Sequence, residues 1–199
     1  MKYLLVLVLL LVGCTQTVAP STSQSAQPTP PSASPSTPSA DPMCSPMGGT
    51  PYPCSAEEYR KVQEQNGLTE EAIALYRRWT KESTRLYRAG GTTKVTPEML
   101  ATTAGDFQKS ALGIFRRLKS KGIRATEGRI DLVQIGPNSE PVDAGNVAIQ
   151  TCIDGTSLRF RAGSKVLGRG TIAKEYVVAK PVSGQLKLWS IESEVVSSC

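Results

Sequence analysis

Arg124-Ala125-Thr126-Glu127-Gly128-Arg129-Ile130-Asp131-Leu132-Val133-Gln134-Ile135 is where this chain changes its period. Before it, apolar residues recur at helical spacing. From Arg124 onward they alternate, as in a half-buried strand. Four strand candidates follow, over residues 125–135, 146–158, 171–180 and 186–196. Gly136-Pro137-Asn138, Ala162-Gly163-Ser164 and Ser183-Gly184 supply the turn chemistry between them. Helices first and strands after is an α+β order. The expected fold is a set of N-terminal helices packed on one curved, four-stranded antiparallel sheet, cone-like, with the other sheet face concave or exposed.

The helical half carries its own punctuation. Ser55-Ala56-Glu57-Glu58 has the capping-box form, with Ser at the cap and Glu three residues on. This predicts a short helix to about Gln65, with Gly67 as its C-terminal stop. Thr69-Glu70-Glu71 opens a second helix, its acids placed against the dipole. Ala72, Leu75, Tyr76, Trp79, Ser83, Leu86 and Tyr87 form one face of it, and Gly90-Gly91 ends it. Thr96-Pro97-Glu98 starts a short turn of helix with proline at its first position. Asp106 opens a further helix with the stripe Phe107, Ala111, Ile114, Phe115 and Leu118, and Gly122 stops it.

Ahead of this domain lies Lys2, then an apolar run closing in Leu11-Val12-Gly13-Cys14. A positive start, a short apolar stretch and a small residue before cysteine form a lipoprotein-type secretory signal. The run of about ten residues is half of what a membrane span needs, about 20. The pattern resembles the bacterial lipobox, which implies palmitate-type acylation of Cys14 and cleavage just before it. Two or more acyl chains anchor firmly, at about 0.8 kcal/mol per buried methylene. The expected location is the outer face of the bacterial cytoplasmic membrane. Residues 1–13 read as the signal and 14–54 as a lipidated stalk with a terminal loop. Residues 55–199 read as the domain. Of the 29 residues Thr15 to Met43, 19 are Ser, Thr or Pro. Such a low-complexity linker cannot bury enough surface to offset its ordering entropy. Extended as polyproline II it reaches up to about 90 Å. It also resembles an acceptor for O-linked sugars, with a plain spacer as the other reading.

The chain has no histidine. This excludes Ser-His-Asp and Cys-His nucleophile systems and histidine-based zinc sites within it. No cofactor or metal site is expected. Beyond Cys14 stand Cys44, Cys54, Cys152 and Cys199. An even number in an exported chain reads as disulfides, with three possible pairings. Cys44–Cys54 and Cys152–Cys199 are favoured, contributing roughly 3 and 4 kcal/mol in the loop-entropy picture. No Cys-x-x-Cys spacing supports a redox pair.

Formal charge is +6, and +5 once Lys2 leaves with the signal. Arg116, Arg117, Lys119, Lys121 and Arg124 gather at a helix end. Arg116, Arg117 and Lys119 are the candidate anion-binding residues, for lipid headgroups or a wall polymer; a solvated helix face is the alternative. No nucleic-acid motif accompanies the charge. Glu192 and Glu194 share one strand face and could do acid–base work, or simply face solvent. Asp154 shares a face with Cys152 and serves either as a base or to close the Asp154-Gly155 turn. Glu127, Arg129 and Asp131 read as an exposed charge ladder on one strand. Gly163, Gly168 and Gly170 lack the strand–loop–helix context of a phosphate cradle. Trp79, Tyr76 and Tyr87 line either a cavity or plain core.

Val147-Ala148-Ile149-Gln150-Thr151-Cys152-Ile153-Asp154, with the Trp-containing last strand Leu188-Trp189-Ser190-Ile191, resembles a known group. These are secreted and lipid-anchored actinobacterial proteins with a nuclear transport factor 2-like cone domain. The resemblance covers about Glu70 to Cys199. It implies a cone fold, whose enzymatic members place His or Asp in the cone, and it carries over no catalytic residue. The expectation is a membrane-anchored, non-catalytic binding or accessory module whose partner is another envelope protein or an anionic polymer. The alternatives are a small isomerase- or cyclase-like enzyme using carboxylates, and a phage-encoded exclusion or other defensive lipoprotein.

Overall fold

The computed structural model describes residues 42–138, 142–143 and 145–199. The signal, Cys14 and nearly all of the stalk lie outside the described residues. A two-strand antiparallel pair, β1 (Met43–Cys44) and β2 (Tyr52–Pro53), comes first. Three helices follow: α1 (Ala56–Arg88), α2 (Pro97–Thr102) and α3 (Gly105–Ser120). The remaining strands are β3 (Ile123–Glu127), β4 (Asp131–Pro137), β5 (Val147–Asp154), β6 (Arg159–Ala162), β7 (Lys165–Arg169), β8 (Ile172–Val182) and β9 (Gln185–Val196).

The architecture is α+β, with helices against antiparallel sheets. The expected single sheet is replaced by three: β1-β2, β3-β6-β7 and β4-β5-β8-β9. The cause sits inside the stretch where the period changes. The expected strand over 125–135 breaks at Gly128, which adopts φ +78°. A side chain there would meet the Ser157 carbonyl oxygen at 2.0 Å. The left-handed turn, open to glycine at low cost, sends β3 and β4 into different sheets. Glu127 and Asp131 therefore do not share one ladder. They form separate exposed pairs, Arg159 with Glu127 at 3.3 Å and Arg129 with Asp131 at 2.6 Å. Ala162-Gly163-Ser164 also differs from the expectation: it is the tip of a hairpin, β6–β7, inserted between β5 and β8.

The two helices expected on either side of Gly67 are one, α1, of 33 residues. An interior glycine costs a helix about 1 kcal/mol relative to alanine. Here the Thr69 hydroxyl donates to the Gln65 carbonyl at 2.8 Å across that point, and Leu68 packs against the core. The Ser55 cap holds, accepting from the Glu58 amide at 3.2 Å. Thr96 caps α2 in the same way, accepting from the Met99 amide at 3.2 Å.

The core lies between α1, α3 and the inner face of the four-stranded sheet. Tyr76, Leu86, Met99, Phe107, Phe115, Val147, Ile149, Val177 and Leu188 are buried in it. Trp79 meets Phe107 edge-on with centroids 5.2 Å apart, a favoured aromatic geometry. The smaller sheet is joined to α1 through Tyr87 and Phe160, with centroids 5.5 Å apart. The α3 helix starts at Gly105, where a side chain would meet the Trp189 ring at 2.6 Å. Trp189 itself sits at a bulge in β9 opposite Val178/Ala179.

Both favoured cysteine pairs are disulfides, Cys44–Cys54 and Cys152–Cys199. The second ties the chain end to β5 across the intervening strand β8.

Candidate functional site

In β8 the inward positions are Ala173, Glu175, Val177 and Ala179, by alternation with the outward Lys174, Tyr176 and Val178. Three of the four are apolar and buried. The other is a carboxylate. Glu175 enters a cavity of about 120 Å3 between α1, α3 and the sheet. α1 supplies Tyr76, Trp79, Thr80, Ser83 and Tyr87 from successive turns of one face. α3 supplies Phe107 and Phe115, and Ile114 stands at the rim, 40 % exposed. That exposure is why Ile114 departs from its expected place in the buried stripe.

The Tyr76 hydroxyl donates a short hydrogen bond to Glu175 Oε2. Burial raises the Glu175 pKa, and the Tyr76 hydrogen bond opposes the shift only in part. Burial, with the nearby Glu175 charge, pushes the Tyr76 phenol well above its ordinary value and raises Tyr87 as well. The Ser83 hydroxyl oxygen is buried without a hydrogen-bond partner. Thr151 lies directly across the strands from Glu175, and its side chain hydrogen-bonds with the Tyr76 phenol, partly opposing the rise in that phenol's pKa.

Glu175 is the cavity's only carboxylate. A carboxylic acid on a phenol can hold or pass one proton. The space is below the roughly 300 Å3 at which substrate-sized pockets begin. A cavity of that size has room only for something small.

The residues singled out from sequence lie elsewhere. Glu192 and Glu194 share a face, but it is the outer one, opposite Tyr176 and Lys174. They line an open groove of about 660 Å3 with Gln134, Gln150 and Cys152, which Thr151 and Glu175 also border. Asp154 closes its turn: its Oδ1 accepts from the Thr156 amide at 2.8 Å and the Thr156 hydroxyl at 2.6 Å. Those bonds hold its carboxyl below the usual range. Trp79, Tyr76 and Tyr87 do line the cavity. Glu175 was missed, although an acid in the apolar phase of an alternating run was a usable signal.

Arg116, Arg117 and Lys119 are exposed on α3. Arg116 Nε donates to the Thr93 carbonyl at 3.1 Å, which fastens it to the α1–α2 loop. The basic region is wider than the helix end. Ile123 pairs with Ala162 and Arg124 with Arg161, so the end of α3 and the β6–β7 tip lie together. Arg159 faces Arg169 on the same small sheet. Residues 107–126 and 155–174 hold eleven Lys or Arg and no carboxylate. Like charges directly across strands are destabilising, and Glu127 offsets the Arg159–Arg169 pair from the other neighbouring strand, at 3.3 Å from Arg159.

Among the described residues no group of three or more His, Cys, Asp or Glu could hold a metal ion. No described helix is long and apolar enough to cross a membrane.

No family model matches the sequence. No curated protein matches it. Among solved structures the chain is similar to the intermembrane space region of the chloroplast protein ARC6, at 11 % identity and a TM-score of 0.46. That match covers 64 % of this chain and 97 % of the other.

Proposed function

We propose that this chain is a lipid-anchored, extracytoplasmic, non-catalytic binding module on the outer face of a bacterial cytoplasmic membrane. Cys14 carries the acyl chains, and the Ser/Thr/Pro-rich stalk separates them from the domain. The four-stranded sheet with α1 and α3 makes a cone of the nuclear transport factor 2-like kind. Two disulfides suit an oxidising compartment. The basic end around Arg116, Arg117, Lys119 and the β6–β7 hairpin rests against anionic phospholipid.

One observation carries the binding reading. Glu175 is a solitary carboxylate in an aromatic cavity too small for catalysis on a substrate of ordinary size. Expression of the full chain in a bacterial host tests the anchoring. Acylated, membrane-retained wild type and a released Cys14→Ser variant are the expected outcome. A Cys14→Ser variant that stays in the membrane after a salt wash contradicts it.

A further inference from the structure

We propose that the Glu175 cavity binds a small primary ammonium ion, with the carboxylate as counter-ion and the Ser83 hydroxyl as a further acceptor. This rests on the reading of the domain as a binding module and names its ligand class.

Charge argues first. Glu175 enters none of the ion pairs found among the described residues. Its sequence neighbour Lys174 points to the opposite face. A carboxylate offers about four acceptor sites, and Tyr76 fills one. A buried charge without a cation is costly, so the site favours a ligand that supplies one.

Hydrogen-bond capacity argues second. Ser83 is 5 % exposed, and its hydroxyl oxygen has no partner. Such groups are uncommon in folded proteins and call for an occupant. The two Glu175 oxygens and the Ser83 hydroxyl make three acceptor atoms on the cavity wall, and a primary ammonium carries three N–H donors. The walls fit the same ion. Trp79, Tyr87 and Phe115 line the cavity, and the faces of aromatic rings attract cations through their quadrupole.

Size argues third. A volume of about 120 Å3 equals about four waters at roughly 30 Å3 each. That admits a short alkylammonium, from methyl to propyl. A quaternary ion of similar bulk brings no N–H for the Ser83 hydroxyl.

Titration calorimetry of the full chain bearing Cys14→Ser, at neutral pH and fixed ionic strength, tests this. The probes are methyl-, ethyl- and propylammonium chloride, with tetramethylammonium chloride, sodium chloride and propanol as comparisons. Ligands of so few atoms bind with Kd in the region of ~0.1–10 mM. Saturable binding of a primary ammonium in that range, weakened about tenfold or more by Glu175→Gln, is expected. Ser83→Ala should weaken it several-fold, and Glu192→Gln on the outer face should leave it unchanged. Equal affinity for tetramethylammonium overturns the primary-ammonium assignment. Equal affinity for propanol overturns the cation and leaves a binding pocket in place. Binding of neither class overturns the proposal together with the pocket reading beneath it. If Glu175→Gln does not fold, Trp79 indole shifts in wild type on addition of propylammonium, absent with sodium chloride, decide the matter. No ammonium-specific shift there overturns the proposal.

Discussion

Two glutamates on or against α1 are withdrawn from water, and they are handled in opposite ways. Glu82 is 6 % exposed and fully partnered. Its oxygens accept from Arg85 Nε and Nη2, both at 2.7 Å, and from the Thr96 hydroxyl at 2.7 Å. Arg85 comes first among the causes that lower its pKa. Glu175 has one phenol and no cation, and its pKa rises. Glu82 clamps the start of α2 to α1. Glu175 has no clamp to make. The difference separates a carboxylate that serves the fold from one left open for a ligand.

The largest effect removes the scaffold beneath both. Cys152 neighbours Thr151 on β5, and its bridge to Cys199 spans 47 residues. Replacing both with Ser should cost about 4 kcal/mol in urea unfolding. A loss near zero would mean that the strand facing Glu175 is held by packing alone.

Next is Glu82→Ala, which strips the Thr96 hydroxyl and Arg85 of their acceptor. Hydrogen bonds to charged groups and stranded donors set a cost of about 2 kcal/mol, trimmed because Arg85 is largely exposed. Glu175→Gln should cost far less, since the amide oxygen still accepts from Tyr76. Equal losses at the two sites would erase the distinction between them.

The pH dependences should run in opposite directions. Glu82 has a folded pKa below its unfolded value, so its contribution is present above the unfolded pKa, near pH 4.3, and is lost as pH falls through the folded one. Glu175 has a raised folded pKa. Its contribution is full below the unfolded pKa and is lost as pH rises through the folded value. Unfolding series on wild type, Glu82→Gln and Glu175→Gln should show Glu175→Gln gaining on wild type as pH rises. Glu82→Gln should approach wild type as pH falls.

The smallest effect on stability belongs to the basic end. Arg116→Gln with Arg117→Gln and Lys119→Gln should change unfolding free energy by under about 0.5 kcal/mol, as exposed substitutions do. The same triple change should weaken binding to phosphatidylglycerol vesicles about tenfold or more at low salt, at about 1 kcal/mol per residue in contact. Unchanged vesicle binding would leave these three as a solvated helix face.

Much of this was written plainly in the sequence. The stripe from Ala72 to Leu86 on α1 and the caps at Ser55 and Thr96 are local signals, and local structure obeys them. Of the three possible cysteine pairings, the favoured one is the one formed. What failed depended on partners distant in sequence. Gly67 reads as a stop, yet it lies inside a helix that Thr69 and Leu68 hold across it. Gly128 reads as one weak point in a strand, but the close approach of Ser157 makes it a corner between sheets. The β6–β7 hairpin was hidden because Arg159 and Arg161 look polar on one face while Phe160 packs on Tyr87. Glu175 was hidden most deeply. Lys174-Glu175-Tyr176 resembles a solvated strand, and only the phase set by Ala173, Val177 and Ala179 turns the carboxylate inward.

The account stands on Glu175 being a carboxylate with no cation of its own. Carbon-13 NMR of the side-chain carboxyl, followed through a pH titration and assigned with Glu175→Gln, measures this directly. The account predicts a midpoint above the ordinary glutamate range, moving downward when propylammonium is added. A midpoint at or below that range in the ligand-free chain, unmoved by propylammonium, would contradict it.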